Sequence, residues 1–212
     1  MNHPPAHHPH DRKSFFDAIA ERWDDLHPHA PQRGAVTRGL DLVEPLANAA
    51  IIDVGCGTGI VTNTVLPRIA NGTVLALDLS PSMIAKARES LCDPRVELRV
   101  GDALDAAIAS ASVDVVLCYN TFPHFSSANA AVQEMARWLR PGGRLLIWHD
   151  AGRSQIHHMH HHVGGPVAHD MLPPADQLAS LMAGAGLTLL CQDDLPDRYT
   201  VLGALPAIHA EV

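Results

Sequence analysis

The chain has 212 residues, of which 47% are hydrophobic and 18% are charged, and its formal net charge is −8 when histidine is counted as neutral. This length accommodates one domain with a full hydrophobic core, and the negative charge, without a lysine and arginine cluster, disfavours a nucleic-acid partner. The longest apolar runs are far shorter than the roughly 20 residues of a membrane span, so the composition predicts a soluble globular protein.

The N-terminus lacks the apolar segment and the small-residue cleavage site of a secretory signal, which predicts a cytoplasmic location. The four cysteines form no CxxC pair, which argues against a disulfide framework or a thiolate zinc site. They are Cys56, Cys92, Cys118 and Cys191. We expect reduced and mostly buried thiols.

Residues 1–13 are rich in proline and histidine without apolar periodicity, and they predict a disordered tail. Ser14 is placed to cap a short amphipathic helix that runs to Trp23. The proline-bearing stretch 27–31 would end this helix, and a second helix is expected over 37–46. We therefore expect a single domain over 14–212 that begins with a helical cap over 14–48.

From Ala49 onward, short apolar runs alternate with helical segments, which is typical of βαβ units and a parallel sheet. Strands are predicted near 50–54, 73–77, 96–100, 113–118 and 143–148, with two closing strands over 187–191 and 199–205. Helices are predicted near 60–69, 81–91, 127–139 and 174–184.

A glycine-rich turn follows the first predicted strand, in Asp53-Val-Gly55-Cys-Gly57-Thr-Gly59. Glycines at alternate positions allow a tight turn and a close approach of the backbone to a ligand, because no Cβ obstructs it. Open α/β sheets bind ligands at this end of their strands. The GxGxG spacing differs from the GxGxxG of dinucleotide-binding folds, and with an acid two positions upstream it favours a cationic amino-acid ligand over a pyrophosphate.

Acidic residues also mark the ends of the next two predicted strands. Asp78 ends the second strand, where a carboxylate can accept hydrogen bonds from a ribose diol. Asp102 follows the third strand and suits contact with the exocyclic amine of adenine. Three acids at three successive strand ends predict one nucleoside-binding edge.

The chain resembles the class I S-adenosylmethionine (SAM)-dependent methyltransferase superfamily, especially its type 11 and ubiquinone-biosynthesis-like group. The matching parts are Phe16 to Trp23, Asp53 to Gly59, Asp78-Leu79-Ser80 with Met83, Gly101-Asp102-Ala103, Val113 to Tyr119, and Leu139-Arg140-Pro141-Gly142-Gly143. This resemblance implies an α/β, Rossmann-like three-layer sandwich, with a mostly parallel seven-stranded sheet, an antiparallel last strand and helices on both faces. It also implies SAM as the cofactor.

The resemblance implies a role for each residue of the cofactor site. Asp53 would hold the methionine amino group directly or through water, Asp78 would bind the ribose hydroxyls, and Asn120 would line the sulfonium side. The other implied contacts are the backbone of Gly55, Cys56 and Gly57 beside the methionine, Leu79 and Met83 flanking the adenine, and Asp102 with Ala103 at the adenine edge. For Leu79, Met83 and Cys56, ordinary core packing is the alternative.

The chain carries 15 histidines, far more than an average protein of its length. His124 follows the fourth predicted strand and His149 ends the fifth, where the acceptor should meet the methyl group. An imidazole can accept a proton at neutral pH, so each is a candidate catalytic base. The alternative is that they are hydrogen-bonded parts of the pocket wall.

The other histidines raise the question of a metal. In Ile156-His-His-Met-His160-His-His-Val163, residues 157, 160 and 161 would share a helix face, and with His169 such a face could bind a divalent metal. We single out His160 and His169 as candidate ligands, with a solvated helix face as the alternative. His3, His7, His8 and His10 are expected to be solvated tail residues. The segment 153–173 stands where the resembling enzymes place a lid over the acceptor.

The predicted function is SAM-dependent methyl transfer to a small-molecule acceptor by in-line displacement. The histidine excess keeps open a metal-binding or metallophore-binding protein on a SAM-binding scaffold. A nicotinamide-dependent oxidoreductase is the third alternative, against which the GxGxG spacing speaks. The acceptor, the oligomeric state and the use of a base stay open at this level.

Overall fold

A seven-stranded sheet forms the centre of the computed structural model, which describes residues 9–207. Its strands are β1 (Ala50–Val54), β2 (Thr73–Asp78), β3 (Val96–Val100), β4 (Val113–Tyr119), β5 (Leu139–His149), β6 (Thr188–Leu195) and β7 (Arg198–Ala204). The spatial order is β3-β2-β1-β4-β5-β7-β6, and β7 runs antiparallel to both of its neighbours. The predicted α/β fold, with its mostly parallel sheet and antiparallel last strand, is confirmed.

The direction in which successive strands are added reverses between β1 and β4, which are adjacent and parallel. A parallel sheet opens a crevice at the carboxyl ends of the strands at such a switch point. The glycine turn after β1 and the loop after β4 therefore face each other at this crevice.

The helices are α1 (Pro9–Ile19), α2 (Trp23–Leu26), α3 (His29–Asp41), α4 (Ile60–Val65), α5 (Pro81–Ser90), α6 (Ala128–Trp138), α7 (Arg153–Val163) and α8 (Ala175–Gly184). Two apolar clusters cover the sheet, one with α6 and α8 and the other with α3 and α4. Because both faces are buried, β4 is an almost continuous apolar run. No helix within residues 9–207 is long and apolar enough to cross a membrane.

The N-terminal segment differs from its prediction. Helix α1 begins at Pro9, so Ser14 lies inside it and is not its cap, and the predicted tail over 1–13 is wrong for residues 9–13. The physical reason is tertiary: Arg12 is buried by an ion pair with Asp170, a partner that local sequence does not reveal. Residues 1–8, and with them three of the four tail histidines, lie outside the described residues.

The second predicted helix, over 37–46, lies instead at His29–Asp41. Pro28 precedes its first residue and Pro31 falls in its first turn, where a missing backbone N–H costs no helical hydrogen bond. The proline stretch separates α2, which ends at Leu26, from the next helix, as expected, and its prolines also start that helix earlier than predicted.

Candidate functional site

One cavity lies over the carboxyl ends of β1, β2 and β4, and its floor is the glycine turn. Gly55, Gly57 and Gly59 all have positive φ, of 67°, 54° and 97°. A Cβ on Gly55 would lie 2.2 Å from Cγ2 of Thr121, so the turn packs directly against the loop after β4. Only glycine combines this backbone conformation with this approach.

The turn is held to β2 by hydrogen bonds that involve its backbone. The N–H groups of Gly55 and Cys56 donate to the carbonyl of Leu77 at 2.7 and 3.0 Å. Oδ2 of Asp78 accepts from the N–H of Gly57 at 2.9 Å, and its Oδ1 accepts from the N–H of Ser80 at 2.8 Å. These bonds fix the Asp78 carboxylate at the cavity wall.

Burial raises the pKa of Asp78, although hydrogen bonds from the N–H groups of Ser80 and Gly57 oppose the rise. Asp53 lies beneath the turn, 1% exposed, and accepts a 2.6 Å hydrogen bond from Oγ1 of Thr62. Burial raises the pKa of Asp53 to about 7, against the hydrogen bonds from Thr62. Two carboxyl groups held out of water beside one cavity are typical of a site that binds a polar or cationic ligand.

Further along the sheet edge, Asp102 and Ala103 line the same cavity beyond β3. Oδ1 of Asp102 accepts the N–H of Leu104 at 2.9 Å, which closes a local turn. Asn120, at the end of β4, has a φ of 51° and donates from Nδ2 to Asp150 at 2.9 Å. The strand-end residues thus form one continuous wall.

The other side of the cavity is formed by the N-terminal helices and the loop after β4. It includes Arg12, Phe16, Trp23, Gln32 and His124. The Phe16 ring contacts the Trp23 and His124 rings edge-on, at 6.0 and 5.1 Å between centroids. We call the strand-end wall (residues 54–57, 77–79, 83 and 101–104) the cofactor side, and this second wall the acceptor side.

Comparison with known proteins agrees with this geometry. Residues 52–147 match the family model of a methyltransferase domain. The chain is 32% identical over 175 residues to the biotin biosynthesis bifunctional protein BioCD of Bordetella avium, covering 80% of this chain and 37% of that protein. It is 34% identical over 139 residues to the ubiquinone biosynthesis O-methyltransferase of Xanthomonas oryzae pv. oryzae, covering 62% and 57% of the two chains. The chain belongs to the class I SAM-dependent methyltransferase superfamily.

A solved SAM-dependent methyltransferase from Aquifex aeolicus shares the methyltransferase fold with a TM-score of 0.71 at 18% identity, over 89% of this chain and 98% of that one. This chain spans 37% and 57% of the length of the two curated relatives. The family match over residues 52–147 includes most of β1 to β5 and the cofactor side, and the curated relatives contain further sequence.

Most residues predicted for the cofactor line this cavity. They are Gly55, Cys56, Gly57, Asp78, Leu79, Met83, Asp102, Ala103 and Asn120. Cys56 and Met83 are also 4% and 2% exposed, so they serve the core and the cavity wall together. Asp53 is the exception, because it lies behind the turn and not at the cavity surface.

The two predicted bases have different positions. His124 lines the cavity, and its Nδ1 lies 2.7 Å from Oδ2 of Asp170. His149 does not line it, which contradicts the predicted position at the acceptor face. It lies opposite Tyr199 of β7 and faces the cluster under α6 and α8, while its neighbour Trp148 faces the other side with Tyr119. Burial lowers the pKa of His149 to about 3, and its Nε2 has no hydrogen-bond partner within residues 9–207.

The candidate metal ligands are not assembled into a site. His160 is buried on α7, and its Nδ1 donates to the backbone carbonyl of Asp170 at 2.8 Å, whereas His169 is exposed. Within the part of the chain that the structure describes, no three His, Cys, Asp or Glu side chains are grouped to hold a metal ion. The metal-binding alternative therefore gains no support from these residues.

The sequence analysis did not identify Arg12, which lines the acceptor side, or Asp170, which accepts hydrogen bonds from Arg12 and His124. Arg12 falls in the stretch interpreted as a tail, and Asp170 stands beside His169, which was interpreted as a candidate metal ligand. In the sequence, Asp170 is distinguished only as the one acid in the segment 154–175, which has no other Asp, Glu, Lys or Arg.

Proposed function

We propose that this chain transfers the methyl group of SAM to a small-molecule acceptor. The observation that carries the proposal is the single cavity in which the glycine turn and the strand-end acids face Phe16, Trp23 and His124. A cofactor bound along the cofactor side would present its far end to the acceptor side. Such proximity and orientation are the main contributions a protein makes to in-line transfer.

On the cofactor side, we assign Asp78 to the ribose hydroxyls. Its carboxylate oxygens each accept one backbone N–H and keep further acceptor capacity toward the cavity. Asp102 and Ala103 would contact the adenine edge, and Leu79 and Met83 would pack on its faces.

At the methionine end, the backbone of Gly55, Cys56 and Gly57 would pass beside the ligand. Asp53 lies behind this backbone, which favours the indirect form of its role, through a water molecule or the turn itself. A carboxylate there would attract a cationic amino group. Asn120 would line the side from which the methyl group leaves.

On the acceptor side, the bound SAM would supply an activated methyl group, and the chain would exclude water and orient the acceptor. Helix α1 and the segment 153–173 would form the lid, since Arg12 and Asp170 from these two segments meet beside the cavity. His124 is the candidate proton acceptor, because it lines the cavity and His149 does not.

Titration calorimetry with SAM and S-adenosylhomocysteine tests the cofactor assignment. We expect micromolar binding to the wild type, weakened about 10-fold or more in Asp78→Asn, because a hydrogen bond to a charged group is lost. Asp102→Asn should also weaken binding, and it keeps the Gly57 contact of Asp78 intact. Asp197→Asn is the matched control, since that side chain is 77% exposed and lies on the β6–β7 turn. Absence of binding of both ligands to the folded wild type would refute the proposal.

A further inference from the structure

Three side chains from distant segments meet at the acceptor side: Arg12 of α1, His124 after β4 and Asp170 after α7. Oδ2 of Asp170 accepts from Nδ1 of His124 at 2.7 Å and from Nε of Arg12 at 3.1 Å. The second carboxylate oxygen accepts from Nη2 of Arg12 at 2.5 Å. The Asp170 side chain is only 3% exposed, so these contacts lie out of bulk water.

The position of the His124 proton follows from the state of Asp170. Burial would raise the pKa of this carboxyl, but hydrogen bonds from His124 and Arg12 outweigh it and hold the pKa below its usual value. An ionised carboxylate can only accept hydrogen bonds, so Nδ1 of His124 must carry the hydrogen. When the ring is neutral, the other nitrogen, Nε2, is then the one that carries a free lone pair.

The surroundings hold both members of this pair in place. Nδ1 of His160 donates to the backbone carbonyl of Asp170 at 2.8 Å, and burial lowers the pKa of His160, which keeps that ring neutral. The His160 ring lies 5.0 Å from the His124 ring, and Phe16 contacts His124 from another side at 5.1 Å. The imidazole is therefore held by packing as well as by the carboxylate.

Building on the proposed methyl transfer, we infer that Asp170 is the positioning residue for a His124 base, and that the acceptor is a hydroxyl compound. The acceptor oxygen would bond to the methyl carbon as the carbon–sulfur bond breaks, with the electron pair remaining on sulfur. The hydroxyl proton would pass to Nε2 of His124. One positive charge thus moves from the sulfonium to the imidazolium, and the Asp170 carboxylate stabilises it there.

The charges on the acceptor side favour a hydroxyl over a carboxylate or an ammonium acceptor. A carboxylate acceptor has no proton to lose at neutral pH and would leave a base without use. An ammonium acceptor would place a second cation beside Arg12, whose partner carboxylate already serves two donors. A phenolic hydroxyl, with a pKa of about 10, is within reach of an imidazole base in a way that an aliphatic alcohol is not. The aromatic rings of Phe16 and Trp23 offer it a surface to pack against.

Nitrogen-15 NMR of the histidine rings tests the positioning role without an acceptor. In the complex with S-adenosylhomocysteine, we expect His124 to be protonated at Nδ1 and bare at Nε2, and its signal is assigned by comparison with His124→Gln. Asp170→Asn should shift the tautomer toward protonated Nε2, because an amide can donate to Nδ1. A wild-type His124 that is protonated at Nε2 alone would overturn the inference.

The second test uses two probes, catechol, which keeps its protons at neutral pH, and 4-nitrocatechol, which is largely ionised. We expect Asp170→Asn to lower kcat on catechol by about 100-fold or more, and on 4-nitrocatechol far less, because only catechol needs the base. His124→Gln should show the same split while preserving the Arg12–Asp170 ion pair, which separates loss of the base from a loosened lid. Asp197→Asn is the control.

An equal loss on both probes, or no loss on either, would overturn the inference. So would methylation of benzoate but not of catechol, or no product from catechol while S-adenosylhomocysteine binds normally. None of these results contradicts cofactor binding. Failure of the wild type to bind SAM would instead refute the proposed function itself.

Discussion

The cofactor side and the acceptor side of the cavity are held by different kinds of contact. On the cofactor side, the glycine turn is hydrogen-bonded through its backbone to Leu77 and Asp78 of the adjacent strand β2. On the acceptor side, Arg12, His124 and Asp170 are joined side chain to side chain from segments up to 158 residues apart. The first depends on backbone conformation and tolerates few substitutions at the turn, whereas the second depends on individual side chains and can be dismantled one residue at a time.

The largest effect on stability and on SAM binding is expected from Gly55→Ala, in the turn of the cofactor side. The new Cβ would lie 2.2 Å from Cγ2 and 2.4 Å from Oγ1 of Thr121, and the residue would keep a φ of 67°. Overpacking and left-handed strain together should lower the free energy of unfolding by about 3 kcal/mol or more and abolish SAM binding. Urea unfolding and calorimetry measure both.

Gly184→Ala is the control for this variant, because nothing lies within 4 Å of the added Cβ and the residue is helical. It should leave stability unchanged or raise it by up to about 1 kcal/mol. If Gly55→Ala behaved like this control, the turn would not be the rigid element that we describe.

Asp53→Asn should have the opposite effect on stability and raise the free energy of unfolding at pH 8. The pKa of the buried Asp53 is about 7 in the folded chain, against an ordinary value of 3.8. The folded state therefore binds more protons than the unfolded state between about pH 4 and 7, so this residue makes the wild type less stable as the pH rises through that window. At pH 8 the variant should exceed the wild type in stability by roughly 2–4 kcal/mol, and at pH 4 the gain should vanish.

Urea unfolding of both proteins at pH 4, 6 and 8 measures this difference, with the exposed Asp197→Asn as the control. The same variant should bind SAM more weakly, because the carboxylate that destabilises the free protein is the group expected to attract the methionine amino group. A stability gain that does not depend on pH would show that Asp53 is not protonated in the folded protein.

The same contrast explains which features could be predicted from the sequence. The cofactor side is marked locally, since each of the strands β1, β2 and β3 ends at, or is followed within two residues by, a glycine or an acid. Asp78 and Asp102 could be placed at one edge because parallel strands end together. No such rule joins Arg12 to Asp170, and the proline-rich and histidine-rich contexts of these two residues suggest a tail and a metal site.

The face of the sheet on which His149 lies could not be predicted, for a different reason. Its strand was predicted, but a strand buried on both faces gives no alternation from which to tell which side chains point to which face. Pairing with β7 places His149 with Tyr199 and Trp148 with the opposite cluster, and the register of that pairing is known only once the fold is known. A shift of one residue along β5 moves a side chain from one face of the sheet to the other, and this decides whether His149 is a candidate base or a core residue.

The smallest effect is expected from Asp17→Asn, which tests where the two sides meet. Oδ1 of Asp17 accepts from Oγ of Ser80 at 2.6 Å and from the N–H of Ser82 at 3.1 Å, at the first turn of α5. Oδ2 accepts from Lys13 at 2.8 Å. Burial opposes ionisation, but the hydrogen bonds from Lys13, Ser80 and Ser82 lower the pKa of Asp17 to about 2.

Because this pKa lies below the ordinary value of 3.8, Asp17 stabilises the folded chain above about pH 4, and the contribution is lost as the pH falls through 2. With a quarter of the side chain exposed, we expect Asp17→Asn to cost about 1 kcal/mol at pH 7 and less toward pH 2. Hydrogen exchange should show faster opening of α1, while the affinity for S-adenosylhomocysteine changes less than in Asp78→Asn. If the affinity fell as far as in Asp78→Asn, α1 would be part of the cofactor side. The cofactor side would then depend on the Asp17–Ser80 side-chain contact as well as on backbone hydrogen bonds.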